Sequence, residues 1–155
     1  MEKALDKMRR LCSRREYCVA DIRSKLLKAL EGDQQKAETA LRILTEEKYV
    51  DDLRYATAFV RDKSAIAGWG EVKIRYMLSA KGISRDVIDL ALDEVDESKA
   101  SQRLYKLLEN KYKSLREDPQ CRLKLLRFAL SRGYSYDEVN DAISDIINDS
   151  QKDNR

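Results

Sequence analysis

Apolar residues recur along this chain at intervals of three and four, the spacing that places them on one face of an α-helix. Leu5, Met8 and Cys12 predict an opening helix, with Arg9 and Arg10 turned elsewhere. Val19, Ile22, Leu26 and Leu30 predict a second, stopped at Glu31-Gly32-Asp33, and Ala37, Ala40, Leu41 and Leu44 a third. Asp51-Asp52 suits a helix N-terminus, where carboxylates accept the free N–H groups and interact favourably with the dipole. Leu53, Ala56 and Val60 follow with the helical period, extended to Ile66 and Ala67 and widened by Tyr55 and Phe59. Ile74, Met77, Leu78 and Lys81 then define a short helix between Gly70 and Gly82, and Ser84 caps one that carries Val87, Ile88, Ala91, Leu92 and Val95. A long amphipathic helix holds Ala100, Leu104, Leu108 and Tyr112. Asp118-Pro119 predicts the next start, with Pro in the first helical position, where no hydrogen bond is lost, and Leu125, Phe128 and Ala129 facing inward. Ser135 to Glu138 forms a Ser-x-x-Glu capping box ahead of Val139, Ala142, Ile143, Ile146 and Ile147.

The pattern repeats. Lys73 to Ser84 matches Lys124 to Ser135 in its lysine, apolar steps, basic-Gly pair and serine, and the register holds through Gly82/Gly133, Asp86/Asp137 and Ala91/Ala142. Ile22 to Leu26 answers Ile74 to Leu78, with about two extra residues before Gly32. The expected fold is all-α: three tandem three-helix repeats, residues 1–50, 51–95 and 96–147, with a polar tail at 148–155. A unit of that length buries only part of its apolar surface alone, so stacked units imply an elongated, curved molecule.

Composition narrows the chemistry. Charged residues make up 38% of the chain, above the usual quarter, and one Pro with five Gly leaves few breakers. No apolar run approaches the roughly 20 residues that span a bilayer and no secretory pattern opens the chain, so a soluble, intracellular protein without membrane partners is expected. The three cysteines, Cys12, Cys18 and Cys121, lack a Cys-x-x-Cys pairing and read as free thiols rather than as a disulfide framework or metal site. The absence of His removes the commonest general base, metal ligand and triad member. Asp51/Asp52 and Asp93/Glu94 are explained by capping and solvation, because adjacent helical residues do not face each other. No catalytic, metal or cofactor constellation is expected.

The net charge of +3 hides an uneven distribution: +3 over residues 1–50, −2 over 51–100, +6 over 101–134 and −4 over 135–155. Basic stretches separated by an acidic one let a protein meet a polyanion on some faces and repel it from others.

Tyr49-Val50-Asp51-Asp52-Leu53-Arg54-Tyr55-Ala56, the Gly68-x-Gly70 turn with Ile74-Arg75-x-x-Leu78-x-x-Lys81-Gly82-Ile83, and Lys124-Leu125-x-Arg127-Phe128 with Arg132-Gly133-Tyr134 together resemble the RecX regulatory family over roughly residues 10–147. The resemblance implies a cytoplasmic bacterial modulator of the RecA recombinase. Such a protein lies along the RecA–DNA filament, restrains its ATP turnover and strand exchange in recombination and repair, and meets DNA through the filament; a monomer is expected. Repeats suit a periodic partner, since linked contacts raise effective concentration.

Contact candidates follow from the pattern. Lys73 and Arg75 lie about 100° either side of Ile74 and flank the buried stripe. Arg23 and Lys25 hold similar places in the first repeat, and Lys124, Arg127 and Arg132 form the basic set of the third. Tyr76 points away from the stripe as an exposed aromatic. Lys81 and Arg132, at helix C-termini, also suit the dipole and snorkel over the core. Trp69 suggests stacking on a base or partner, although closing a gap between packed helices is the commoner use of such a residue. Two other classes remain at this stage: a helical DNA-binding module acting without a recombinase, and a nuclease, which the missing His disfavours.

Overall fold

The computed structural model describes residues 1–153. Among them it has nine α-helices and no strand: α1 (Glu2–Arg14), α2 (Val19–Ala29), α3 (Gln34–Glu46), α4 (Asp52–Ala65), α5 (Glu71–Ala80), α6 (Arg85–Leu92), α7 (Glu97–Leu115), α8 (Cys121–Ser131) and α9 (Tyr136–Asp153). The chain divides into two compact units, one of Met1–Phe59 with Met77–Ala91, the other of Val60–Tyr76 with the chain from Leu92 onward. Helices α4 and α5 each contribute to both.

In the first unit the apolar face of each helix is buried as its spacing dictates. Leu5 and Met8 of α1, Ile22 and Leu26 of α2, and Ala37, Ala40, Leu41 and Leu44 of α3 form one core with Val50. The two alanines leave room for close helix approach, and each large side chain fully buried there contributes about 1.5–3 kcal/mol of transfer free energy. Around the rim, Arg9 makes a two-pronged bond to Glu47, both nitrogens at 2.9 Å, tying α1 to the end of α3. The second unit is built alike, from Leu104 and Leu108 of α7, Leu125 and Ala129 of α8, and Val139, Ile143 and Ile146 of α9.

The middle helix of each repeat stops in the same way. The N–H of Gly32 reaches the carbonyl of Leu27 at 2.8 Å, that of Ile83 reaches Leu78 at 3.2 Å, and that of Tyr134 reaches Ala129 at 3.4 Å. Each bond closes over a residue with left-handed backbone: Gly82 (φ +79°), Gly133 (φ +92°) and, in the first repeat, Glu31 (φ 55°) followed by Gly32 (φ +84°). Such closure satisfies carbonyls that the helix end leaves free. In the first repeat the left-handed position thus falls on Glu31, one residue before Gly32.

A second motif recurs, once in each unit, where the start of one middle helix meets the end of the next. In the first unit the Cys18 thiol points at the carbonyl of Lys81 (3.9 Å), Lys81 pairs with Asp21 (3.3 Å), and a Cβ on Gly82 would rest 3.7 Å from the Cβ of Ala20. In the second unit the approach is closer. Gly70 N–H donates to the Arg132 carbonyl at 2.8 Å, Val72 N–H to the Gly133 carbonyl at 2.9 Å, and the Tyr134 hydroxyl to the Gly68 carbonyl at 3.0 Å. A Cβ on Gly70 would lie 2.5 Å from the Gly133 carbonyl oxygen, and one on Gly133 would lie 2.2 Å from the Lys73 Cβ. Two free N–H groups at the start of α5 thus find partners at the end of α8, and the opposed helix-end charges neutralise each other.

Some expectations need correction. Pro119 is not the first residue of a helix: Asp118 accepts from Gln120 N–H at 2.8 Å and from Cys121 N–H through its backbone carbonyl at 3.0 Å, so Asp118–Cys121 closes as a turn and α8 starts after it. Ile66 is 83% exposed because α4 ends one residue before it, Leu53 is exposed in the first turn of α4, and Val95 lies beyond the end of α6. Residues 148–153, set apart as a tail on their polarity, continue α9, where the Tyr105 hydroxyl donates to Asp149 at 2.6 Å. Residues 154–155 of that tail lie outside the described residues.

Gly133 and Gly32 separate two reasons for a glycine. Gly133→Ala meets both the left-handed backbone and the Lys73 contact, so it should lose roughly 2–5 kcal/mol of stability in equilibrium denaturation. Gly32→Ala, with open space around its Cβ, should lose only about 1–2 kcal/mol. Equal losses would remove the backbone contact as the reason for Gly133.

Candidate functional surfaces

No group of three or more His, Cys, Asp or Glu that could hold a metal ion occurs among the described residues, and no helix there is long and apolar enough to cross a membrane. Cys12, Cys18 and Cys121 are free thiols. Burial raises the pKa of all three above the ordinary thiol value, so they are held in the unreactive protonated form.

Several predicted contact residues are already engaged within the chain. Arg23 on α2 donates through Nε to Glu38 on α3 at 2.6 Å, and that hydrogen bond raises the guanidinium pKa further. Lys81 donates to both carboxylate oxygens of Asp21, at 3.3 and 3.4 Å, which holds its ammonium above the ordinary lysine range. Lys124 is bound to Asp118, whose carboxyl is held below the usual range by that lysine first and by the Gln120 N–H second. Arg75 pairs with Glu71 one turn earlier at 3.2 Å. These ion pairs are largely solvent-exposed, and such pairs are typically worth under about 1 kcal/mol, so a stronger external partner can compete for any of them.

Others are held over aromatic rings. Lys25 and Arg15 lie 5.6 and 4.3 Å from the ring centre of Tyr17. Lys63 and Lys73 lie 4.8 and 4.2 Å from that of Trp69. Lys111 of α7 and Arg132 at the end of α8 lie 5.1 and 4.9 Å from that of Phe128. A cation over an aromatic face gains about 0.5–1 kcal/mol at an exposed site. Here it also restrains a long side chain, which lowers the entropy cost of meeting an anion. Trp69 is half-buried with two ammonium groups over its ring, an arrangement that favours the structural use of this residue over open stacking.

Arg127 is exposed on α8 and has no ion-pair or ring partner among the described residues. One turn apart on this helix, Lys124, Arg127, Phe128 and Ser131 share a face. With Arg132 and Lys111 they form a basic patch around one half-buried ring. Tyr76 is 72% exposed, as its place off the stripe implies, and lines an open groove with Val72, Arg75 and Glu138.

Lys63 and Lys111 were not among the residues singled out from the sequence. Lys63 had a weak local signal, a lysine six residues before the only tryptophan. Lys111 had none, since its ring partner is on the next helix.

The comparisons with known proteins agree on one family. Residues 51–92 match the description "RecX, second three-helix domain" and residues 99–143 match "RecX, third three-helix domain". The regulatory protein RecX of Clostridium botulinum (strain Eklund 17B / Type B) is 39% identical over 132 residues, covering 82% of this chain and 60% of that protein. That of Vibrio parahaemolyticus serotype O3:K6 is 36% identical over 137 residues, covering 86% of this chain and 85% of that protein. The chain thus spans about 60% of the length of the clostridial relatives it matches. A crystal structure of regulatory protein RecX superposes with a TM-score of 0.81 at 27% identity, covering 93% of this chain and 71% of the other. RecX from Lactobacillus salivarius gives the same TM-score at 20% identity, covering 94% and 98%, a likeness of fold alone.

The Asp21–Lys81 pair has a testable pH dependence. The ammonium pKa is raised in the folded chain, so its contribution is fully present below the ordinary lysine value of about 10.5 and is lost as pH rises through the raised value. Asp21→Asn should cost about 0.5 kcal/mol at pH 7. The variant's denaturation midpoint should also fall less steeply than that of the parent above pH 10.5.

Proposed function

The chain belongs to the RecX family of regulatory proteins, and from that premise we propose that it binds the RecA nucleoprotein filament and restrains its ATP turnover and strand exchange. It acts by binding, not catalysis, as a cytoplasmic monomer whose three repeats, bounded near residues 50 and 95, meet successive filament subunits. DNA contact runs through the filament.

One observation in this chain carries the reading beyond family membership: the basic patch of α7 and α8. Arg127 is exposed and unpaired among the described residues, while Lys111 and Arg132 are pre-positioned over Phe128. Arginine suits two-pronged contact with phosphate or carboxylate, both of which a nucleoprotein filament offers. Arg23, Lys25, Lys73, Arg75, Lys81 and Lys124 form a second tier. Arg23, Arg75, Lys81 and Lys124 each pair with a carboxylate, so their recruitment requires exchanging an internal partner for an external one, whereas Lys25 and Lys73 are held over rings as Arg132 is.

The test is DNA-dependent ATP hydrolysis by RecA with increasing amounts of this protein. Turnover should fall with added protein, and an unchanged rate would discard the reading. Arg127→Glu should raise the half-inhibiting concentration roughly 5- to 30-fold, as expected for the loss of about 1–2 kcal/mol, with helix content unchanged. Arg75→Glu with Lys124→Glu should have a smaller effect per residue, because each cation gives up an internal carboxylate to reach a partner. A bare-DNA module instead predicts tight, salt-steep binding to DNA without recombinase.

A further inference from the structure

The opening helix carries a charge pattern that neither the core nor the α7–α8 patch uses. Lys3, Lys7, Arg10 and Arg14 recur along α1 at intervals of four, three and four, which places them within an arc of about 60° on one face. All four are exposed, and none has an ion pair, a side-chain hydrogen bond or a ring partner among the described residues. The carboxylate nearest to them along the helix, Asp6, is bound to Arg9 at 3.0 Å, and Arg9 also reaches Glu47 at the end of α3. Glu2, the other carboxylate of α1, lies about 100° round the helix from Lys3. Leu5 and Met8 turn the opposite way, into the core, so the basic face looks outward.

Such a face is unfavourable for the helix alone. Like charges four residues apart repel, and solvated helical faces ordinarily interleave the two signs at that spacing. This chain does so with Glu71 and Arg75 on α5, but not on α1. The pattern also returns elsewhere. In the register that aligns Ile22 with Leu125, Lys3 and Arg10 align with Lys106 and Lys113 of α7, both exposed, and Lys7 aligns with Asn110. Helix α4 departs from it, holding Tyr55, Phe59 and Asp62 at the positions of Lys3, Lys7 and Arg10.

Length and composition select the occupant. At a rise of 1.5 Å per residue the four cations span roughly 16 Å, over which one DNA strand presents about five phosphates. No aromatic or large apolar side chain stands among them, whereas protein interfaces are anchored by such side chains. A helix lying on a membrane surface needs its apolar face free for lipid, and that of α1 is spent on the core.

We propose that the outer face of α1 binds the sugar–phosphate backbone of nucleic acid directly, through Lys3, Lys7, Arg10 and Arg14. Contacts of this kind position a chain on nucleic acid without reading its sequence. The inference goes beyond the recombinase reading, in which DNA is met through the filament and the α7–α8 patch leads.

The full chain is titrated, without recombinase, into a fluorescein-labelled DNA strand of about 20 nucleotides while anisotropy is followed. The outcome is therefore separate from that of the ATP-hydrolysis assay. Near 0.1 M salt the Kd should be on the order of 10 μM. Combining Lys7→Gln, Arg10→Gln and Arg14→Gln should weaken binding at least about tenfold. The slope of log affinity against log salt should become shallower by about 2, since each phosphate contact on a single strand contributes about 0.7. Lys28→Gln with Lys36→Gln and Lys48→Gln removes the same charge from exposed positions of the first unit and should change the affinity less than about twofold. Helix content should be retained in both variants, because every substituted side chain is exposed. Unlabelled strand should displace the probe, and poly-L-glutamate of equal charge should not. No binding by the parent up to about 1 mM, equal losses in the two triple variants, or displacement by poly-L-glutamate as effective as by DNA would overturn the proposal.

Discussion

The junction of α5 with α8 depends on how closely two backbones approach. Where Gly70 meets Gly133 there is no room for a side chain on either, and the first N–H groups of α5 bond directly to the last carbonyls of α8. Backbone-to-backbone bonding at this distance fixes the register of one repeat against the next without relying on side-chain rotamers. It places the Lys73 Cβ against Gly133, which sends the lysine amine back over Trp69. Beside it, the Tyr134 hydroxyl donates to the Gly68 carbonyl.

What was readable from the sequence is what depends on neighbours in the chain. The interval between apolar residues gives the helices, and Ala37, Ala40, Leu41 and Leu44 are all buried as their spacing requires. Gly82 stops α5 through a positive φ, and the Ser135–Glu138 capping box forms with its two reciprocal bonds. Long-range causes were not readable. Gly70 looks like a helix opener, yet it is glycine because Gly133 approaches it from 63 positions away. Pro119 carried a strong start signal, but the Asp118 carboxylate and carbonyl captured the next two N–H groups and made a turn first. Ile66 obeyed the period of a helix that had already ended.

The basic residues divide in a way that composition conceals. Eight basic candidates looked alike as residue types, but carboxylates and aromatic rings elsewhere in the chain sort them into paired, ring-held and available sets. Glu71 and Arg75, four apart, are a pair that helical geometry makes legible. Asp21 with Lys81 is not, because 60 residues separate them and only the fold brings them together. Among these candidates the surface most available to a polyanion is thus smaller than the charge count suggests, and it centres on α8.

The two recurrent contacts between successive middle helices are built from different materials. One rests on an exposed pair of opposite charges, Asp21 and Lys81, supported by a thiol; the other on backbone amides packed against glycine. Ions in solution screen the first and leave the second almost untouched. Salt therefore acts on the two contacts unequally, weakening the Asp21–Lys81 pair while the backbone bonds of Gly70 and Val72 to Arg132 and Gly133 are kept.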